Sequence, residues 1–195
     1  MAEVIPINYK ITFEPLFHNF KFNGEEIITL NLPKPTNSIN LDAAELSIKE
    51  SHIIQGGKII STKSSLNEKD EKLTIKLAQK IKGKVKLSIK FTGTLNDRLL
   101  GFYKSQYKDK KGKTKYLATT QFEAADARRA FPCWDEPAVK ATFDVSLLVD
   151  KHLDAISNMP VTSKRNVGSK ILYKFGQTPV MSTYLLYLGV GEFEY

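Results

Sequence analysis

Cysteine is almost missing from this chain: Cys133 is the only one in 195 residues. A disulfide within the chain is therefore excluded, and this usage fits a reducing cytoplasm. Long apolar runs are missing as well. The longest near either end, Tyr184–Val190, falls far short of the roughly 20 residues that a membrane span requires. Glu3, Lys10 and Glu14, together with Pro6 and Pro15, interrupt residues 1–20 and leave no room there for the apolar core of a secretory signal. Helical periodicity is scarce too, and a single turn around Ala124–Ala130 is the only helix expected. Internal repeats, linkers and low-complexity tracts are absent, so residues 1–195 read as one domain.

What the chain has in quantity is period-two alternation. Tyr9, Ile11 and Phe13 share one face of a strand. Phe22–Leu32 reads as a longer strand that bends near Gly24, followed by Ile39–Leu41, Leu46–Ile54 and Lys58–Ser61. Leu73, Ile75 and Leu77 alternate with Lys72, Thr74 and Lys76, and Val85, Leu87, Ile89 and Phe91 alternate with Lys84, Lys86, Ser88 and Lys90. Phe143, Val145 and Leu147, then Ile171–Phe175 and Tyr184–Phe193, complete the set. Turn signals separate these runs at Pro33–Lys34–Pro35, Gly56–Gly57, Asn67–Asp70, Lys82–Gly83 and Asn96–Asp97. Many short strands with frequent turns predict an all-β, antiparallel sandwich or saddle rather than βαβ units.

The formal net charge is +8, which raises the question of a nucleic-acid partner. The lysines argue against one. Lys82, Lys84, Lys86 and Lys90 are spaced as the solvent face of a strand, and the one dense run, Lys108–Lys115, centres on Gly112 as a hairpin tip does. No recognition-helix spacing or base-stacking aromatic pattern accompanies them.

Chemistry concentrates in Thr119–Ala141, TTQFEAADARRAFPCWDEPAVKA. Gln121, Glu123, Asp126, Arg128, Arg129, Asp135 and Glu136 surround Phe131, Pro132, Cys133 and Trp134. Asp126, Arg128 and Arg129 read as structural or domain-docking ties, and Asp135 and Glu136 as caps on backbone amides before Pro137. No histidine stands near Cys133 in sequence, so it reads as a small buried hydrophobe, with Phe131 and Trp134 as packing anchors. Met159 and Met181 read as core or border residues. Glu123 alone could be a solvated strand charge, and Gln121 either a pocket residue or a hydrogen-bonded structural amide.

Four pieces, in order, resemble the N-terminal β-domain of the M1 family of zinc aminopeptidases. VIPINYKITFEP resembles the opening P-x-x-Y-x-L-x-F-x-P strand. The block from Gly101 to Leu147 is a near-continuous match. AISNMP at 155–160 resembles a following strand and turn, and FGQTPVMSTYLLYLGVGEFE resembles the end of that domain. The resemblance implies a saddle-shaped β-domain that packs on a thermolysin-like catalytic domain, and it places Tyr195 at a domain border. It also implies a zinc cofactor held elsewhere. His18, His52 and His152 lack the H-E-x-x-H spacing, and the G-A-M-E-N motif is missing, so no metal is expected on this chain and no activity from it alone. By the same resemblance Glu123 receives the free N-terminus of a peptide substrate, while Gln121 lines the first substrate pocket. Glutamate rather than glutamine at 123 points to the plain aminopeptidase branch, not the epoxide-hydrolase one. The expected partners are a peptide and the enzyme's own catalytic domain, in the cytoplasm, with no nucleic acid or membrane. The rival from another class is a free-standing β-domain that binds a peptide or protein and catalyses nothing.

Overall fold

The computed structural model describes residues 4–193; Tyr195, the expected domain border, lies outside them. The alternating segments are strands, in the order β1 (Ile5–Leu16), β2 (Lys21–Asp42), β3 (Ser47–Gln55), β4 (Lys58–Asn67) and β5 (Lys72–Thr94), then β6 (Gly101–Lys108) and β7 (Thr114–Gln121). There follow β8 (Lys140–Asp150), β9 (Asp154–Ser157), β10 (Val161–Val167), β11 (Lys170–Phe175), β12 (Met181–Ser182) and β13 (Leu188–Gly191). A large sheet runs β10-β11-β8-β1-β2-β5-β3-β4, with β12 added to β8, and a smaller sheet runs β6-β7-β13-β9. The all-β class is as expected.

Four expectations need correction. The pairing is not wholly antiparallel, because β1 lies parallel to β8 with Tyr9 opposite Phe143 and Phe13 opposite Leu147. The turn signals at Pro33–Lys34–Pro35 and Lys82–Gly83 do not end strands. They sit opposite one another in two long strands, where Leu32 pairs with Gly83, the register shifts, and pairing resumes at Thr36 and Ile81. A proline cannot donate to a ladder, so a bulge there absorbs the irregularity without ending the pair. At Gly24 in β2 the Phe91 ring occupies the place a side chain would take, and the Phe22 ring does the same over Gly93, two register positions away. Tyr184–Phe193 is not one strand: Thr183–Leu185 forms a 3₁₀ turn, and pairing begins only at Leu188. The expected helix around Ala124–Ala130 is also a 3₁₀ turn, at Ala127–Arg129.

Turn chemistry holds elsewhere. Gly56 and Gly57 both have positive φ, 56° and 78°, as a two-residue hairpin demands. At the β6–β7 tip the Asp109 carboxylate accepts from the amides of Lys111 and Lys113 at 2.9 Å. Lys82, Lys84, Lys86 and Lys90 are all exposed, between buried Val85, Leu87 and Ile89.

The core between the sheets is aromatic. Phe13 meets Phe22, Phe91, Phe102 and Phe131 edge-on at 5.8–6.3 Å, and Tyr9 stacks on Phe143 at 5.0 Å. Phe102 comes from the small sheet, so this cluster joins the two layers. Each such pair adds about 0.5–1.5 kcal/mol to the burial itself.

One core residue breaks the pattern. Glu26 on β2 is fully buried, and neither carboxylate oxygen has a hydrogen-bond partner among the described residues. Burial pushes its carboxyl well above the usual carboxylate range. The fold therefore accepts the protonated acid. Stability is fully present below the carboxyl's unfolded-chain pKa and falls as the pH rises toward the raised folded value. We expect Glu26→Leu to stabilise the chain by roughly 1–3 kcal/mol at neutral pH and by less near pH 4. Denaturant titrations at the two pH values check this, and an equal difference at both would contradict it.

Candidate functional site

The candidate site begins where β7 ends. β7 is held between β6, with Gly101 opposite Gln121, and β13, with Gly189 opposite Thr119. Its alternation runs one residue pair beyond the strand: Gln121 is exposed, Phe122 is buried, and Glu123 is exposed again. Both candidate residues therefore stand on the open side, as expected from their spacing. Among the described residues neither side chain has a hydrogen bond or ion pair. The structural-amide reading of Gln121 thus finds no bond to rest on.

The chain then turns sharply. The Asp126 amide donates to the Phe122 carbonyl at 2.9 Å, which closes a turn with Glu123, Ala124 and Ala125 exposed at its tip. Phe122 before the tip and Phe131 after it pack edge-on at 6.1 Å, so the turn is stapled to the aromatic core from both sides. Phe131 also touches Tyr9, Phe13 and Phe143.

Charge fixes what the rings do not. The Arg128 side chain donates Nε to Asp135 at 3.1 Å and Nη1 to Glu71 at 3.1 Å, with Asp42 at 3.8 Å. Asp135 is 4% exposed and also accepts from the Arg128 amide at 3.2 Å and the Thr183 hydroxyl at 2.8 Å. Asp42, likewise buried, accepts from the Asp135 amide at 3.0 Å and pairs with Lys72. Arg129 donates Nε to Asp126 at 2.9 Å, Nη1 to Glu45 at 2.5 Å and Nη2 to Glu71 at 3.0 Å. Burial opposes the charge on each arginine, but the carboxylates outweigh it and hold both guanidinium groups above their ordinary range. The structural reading of Asp126, Arg128 and Arg129 is thus met by ties within this domain, and Asp135 does cap a backbone amide. The Glu136 side chain is exposed and caps nothing among the described residues; only its backbone carbonyl is used, by the Val139 amide at 2.9 Å.

Cys133 is fully buried, and its backbone exchanges two hydrogen bonds with Asp42, at 2.7 and 3.0 Å. Trp134 is half-buried, with its amide donating to the Tyr9 hydroxyl at 3.3 Å. Sequence reasoning missed the segment that flanks the site. Ser182 and Thr183 bond back to Pro137 and Asp135, and the Tyr187 hydroxyl meets the Thr119 hydroxyl at 3.2 Å on the Gln121 side of β7. Beside it Val180, Leu185 and Tyr187 are 65%, 49% and 39% exposed. The run from Tyr184 reads in sequence as a strand, and its exposure appears only in the structure.

Among the described residues no group of three or more histidines, cysteines or carboxylates is arranged to hold a metal, and no helix is long and apolar enough to cross a membrane. The clustered carboxylates are occupied by arginine and lysine, while His18 and His152 are exposed and His52 lies 3.7 Å from Glu50.

The sequence matches the Peptidase M1 N-terminal domain family over residues 5–185. The chain belongs to that family. It is 43% identical over 195 residues to a puromycin-sensitive aminopeptidase of Caenorhabditis elegans, covering 97% of this chain and 21% of that protein. It is 44% identical over 199 residues to aminopeptidase 2 of Candida albicans, covering 100% and 21%. It is 40% identical over 198 residues to an alanine/arginine aminopeptidase of Saccharomyces cerevisiae, covering 98% and 23%. The chain thus spans about a fifth of the length of the curated relatives it matches.

Burial above all, with the charges of Asp135 and Asp42 beside it, pushes the Cys133 thiol well above its usual range. We expect thiol reagents to leave Cys133 unmodified in the folded chain at neutral pH and to label it fully in denaturant. Rapid labelling of the native chain, followed by mass spectrometry, would contradict the buried assignment.

Proposed function

We propose that this chain is the substrate-anchoring domain of a zinc-dependent aminopeptidase that releases N-terminal residues from peptides. Glu123 receives the α-ammonium of the substrate, and Gln121 lines the pocket for its first residue. The observation that carries the reading is the contrast within one segment: Asp126 and Asp135 are consumed by arginines, whereas Glu123 has no partner among the described residues and is held on a turn stapled at both ends. A carboxylate enclosed in a cleft loses its water, and a bound ammonium compensates for that loss with charge-assisted hydrogen bonds. An internal peptide bond cannot. Selectivity for free N-termini follows from this electrostatic demand.

The residues described here do not fit a zinc site, so the metal would be held outside them, where it would supply the activated water. Val180, Leu185 and Tyr187 border the site and form the apolar face on which the enzyme's catalytic domain would pack. The same reading keeps the enzyme in the cytoplasm, supported by the reduced, buried Cys133.

The test uses the product of the complete reading frame that encodes this chain, assayed on a fluorogenic aminoacyl amide with zinc. We expect Glu123→Gln to lower kcat/KM about ten-fold or more, because the ammonium loses its counter-charge. Unchanged kinetics would overturn the anchoring role. A reading frame whose product binds peptides without cleaving the amide would favour the free-standing binding domain.

A further inference from the structure

We propose that Arg129 is a positioning residue: with Asp126, Glu45 and Glu71 it sets the orientation of the turn that presents Glu123. The proposal rests on the anchoring role of Glu123 given above.

Little else holds the turn's tip. Glu123, Ala124 and Ala125 are exposed, and a single backbone bond, Asp126 to Phe122, closes the loop beneath them. Phe122 and Phe131 fix the two ends in the core but lie outside the tip. Arg129 reaches from the tip's far side to the rest of the fold, and unlike Arg128 it also holds a carboxylate of the turn itself, Asp126. Its three nitrogens each address a different carboxylate: Nε takes Asp126 in the turn, Nη1 takes Glu45 in the β2–β3 connection, and Nη2 takes Glu71 in the β4–β5 turn. A planar guanidinium can hold three directions at once, which a lysine ammonium on a flexible stem does not do.

The backbone of the two distant partners points the same way. Glu45 and Glu71 have φ of 58° and 53°, in the left-handed region that side-chain-bearing residues disfavour. Four such non-glycine residues occur among the described residues, and two of them are the glutamates that receive Arg129. Glu45 also pairs with Arg98, next to Leu99, a third of the four. Disfavoured backbone that converges on one side chain marks a place where geometry is maintained against local preference. The Glu71 carbonyl further accepts from the Ala43 amide, and the Ala44 amide donates to the Arg128 carbonyl, so both glutamate loops are stitched to the arginine turn. Gly101 completes the fit. A Cβ there would stand 3.0 Å from the Arg129 Cβ, and the residue's φ of 68° suits glycine.

A structural tie alone would not single out Glu123, and a double-mutant cycle separates the two cases. The complete reading-frame product is compared as wild type, Arg129→Lys and Asp126→Asn, each with and without Glu123→Gln, on the fluorogenic aminoacyl amide. Arg129→Lys keeps the charge but loses the fork; Asp126→Asn weakens only its grip on the turn. We expect each to lower kcat/KM about ten-fold in the Glu123 background, because a small misplacement of an anchor is costly. Neither should cost anything further once Glu123 is glutamine. A full further loss in that second background, or no loss in the first, would overturn the proposal. A loss with Glu123→Gln but none with either clamp variant sinks the positioning role alone. No loss with Glu123→Gln sinks the anchoring reading and this proposal with it. If Arg129→Lys fails to fold, Asp126→Asn carries the cycle.

Discussion

The buried pairing of Arg128 with Asp135 is the contact on which the candidate site depends. Asp135 lies seven residues after Arg128, and its carboxylate takes that residue's side chain and its amide together, so the whole loop between them is drawn closed. The pair is only tolerable because its remaining capacity is used: Thr183 fills the other Asp135 oxygen, and Glu71 and Asp42 surround the guanidinium. Removing one partner of such a buried pair leaves an uncompensated charge, at a cost of about 3–5 kcal/mol. The network is therefore a device for specifying one loop geometry rather than a simple source of stability.

From that closure the rest follows in sequence. A closed loop puts Phe131, Pro132 and Cys133 into the aromatic core, and Phe131 then meets Phe122 across the turn. Held at both ends, the turn exposes Glu123 next to Gln121 at the end of a strand locked between two neighbours. Thr183 carries the same network to the Val180–Tyr187 segment, and the Tyr187 hydroxyl reaches Thr119 on β7. Glu26 shows the opposite economy. It is a core carboxyl with no donor among the described residues, and burial raises its pKa toward the neutral form.

Much of this was legible in the chain of residues. Alternation of Lys84–Phe91 and of Tyr9–Phe13 reports which face is buried, because a half-buried strand has no other way to satisfy both solvents. Glycine pairs and the Asp109 hairpin reveal their turns for the same local reason. The resemblance to the M1 family, and not the charge pattern, singled out Glu123 and Gln121, and their common open side follows from a spacing of two. What failed was non-local. The parallel β1–β8 pair is invisible in either strand, since register partners more than a hundred residues apart leave no mark on local pattern. Pro33–Lys34–Pro35 and Lys82–Gly83 look like turns separately, and become a bulge only because they face each other. β10 was missed because all seven of its residues are exposed. Glu45 and Glu71 read as ordinary loop acids until the fold brings them to Arg129.

The claim that charge pairing, and not only the apolar core, fixes the loop is tested most directly by amide hydrogen exchange on this chain and its Arg128→Met variant. The amides of Asp126, Ala130, Cys133 and Asp135 all donate within the loop or to Asp42. The account predicts that they exchange as slowly as β8 in the parent chain and much faster in the variant, with β8 itself unchanged. Loop amides that exchange freely in the parent, or that stay equally protected in the variant, would contradict it.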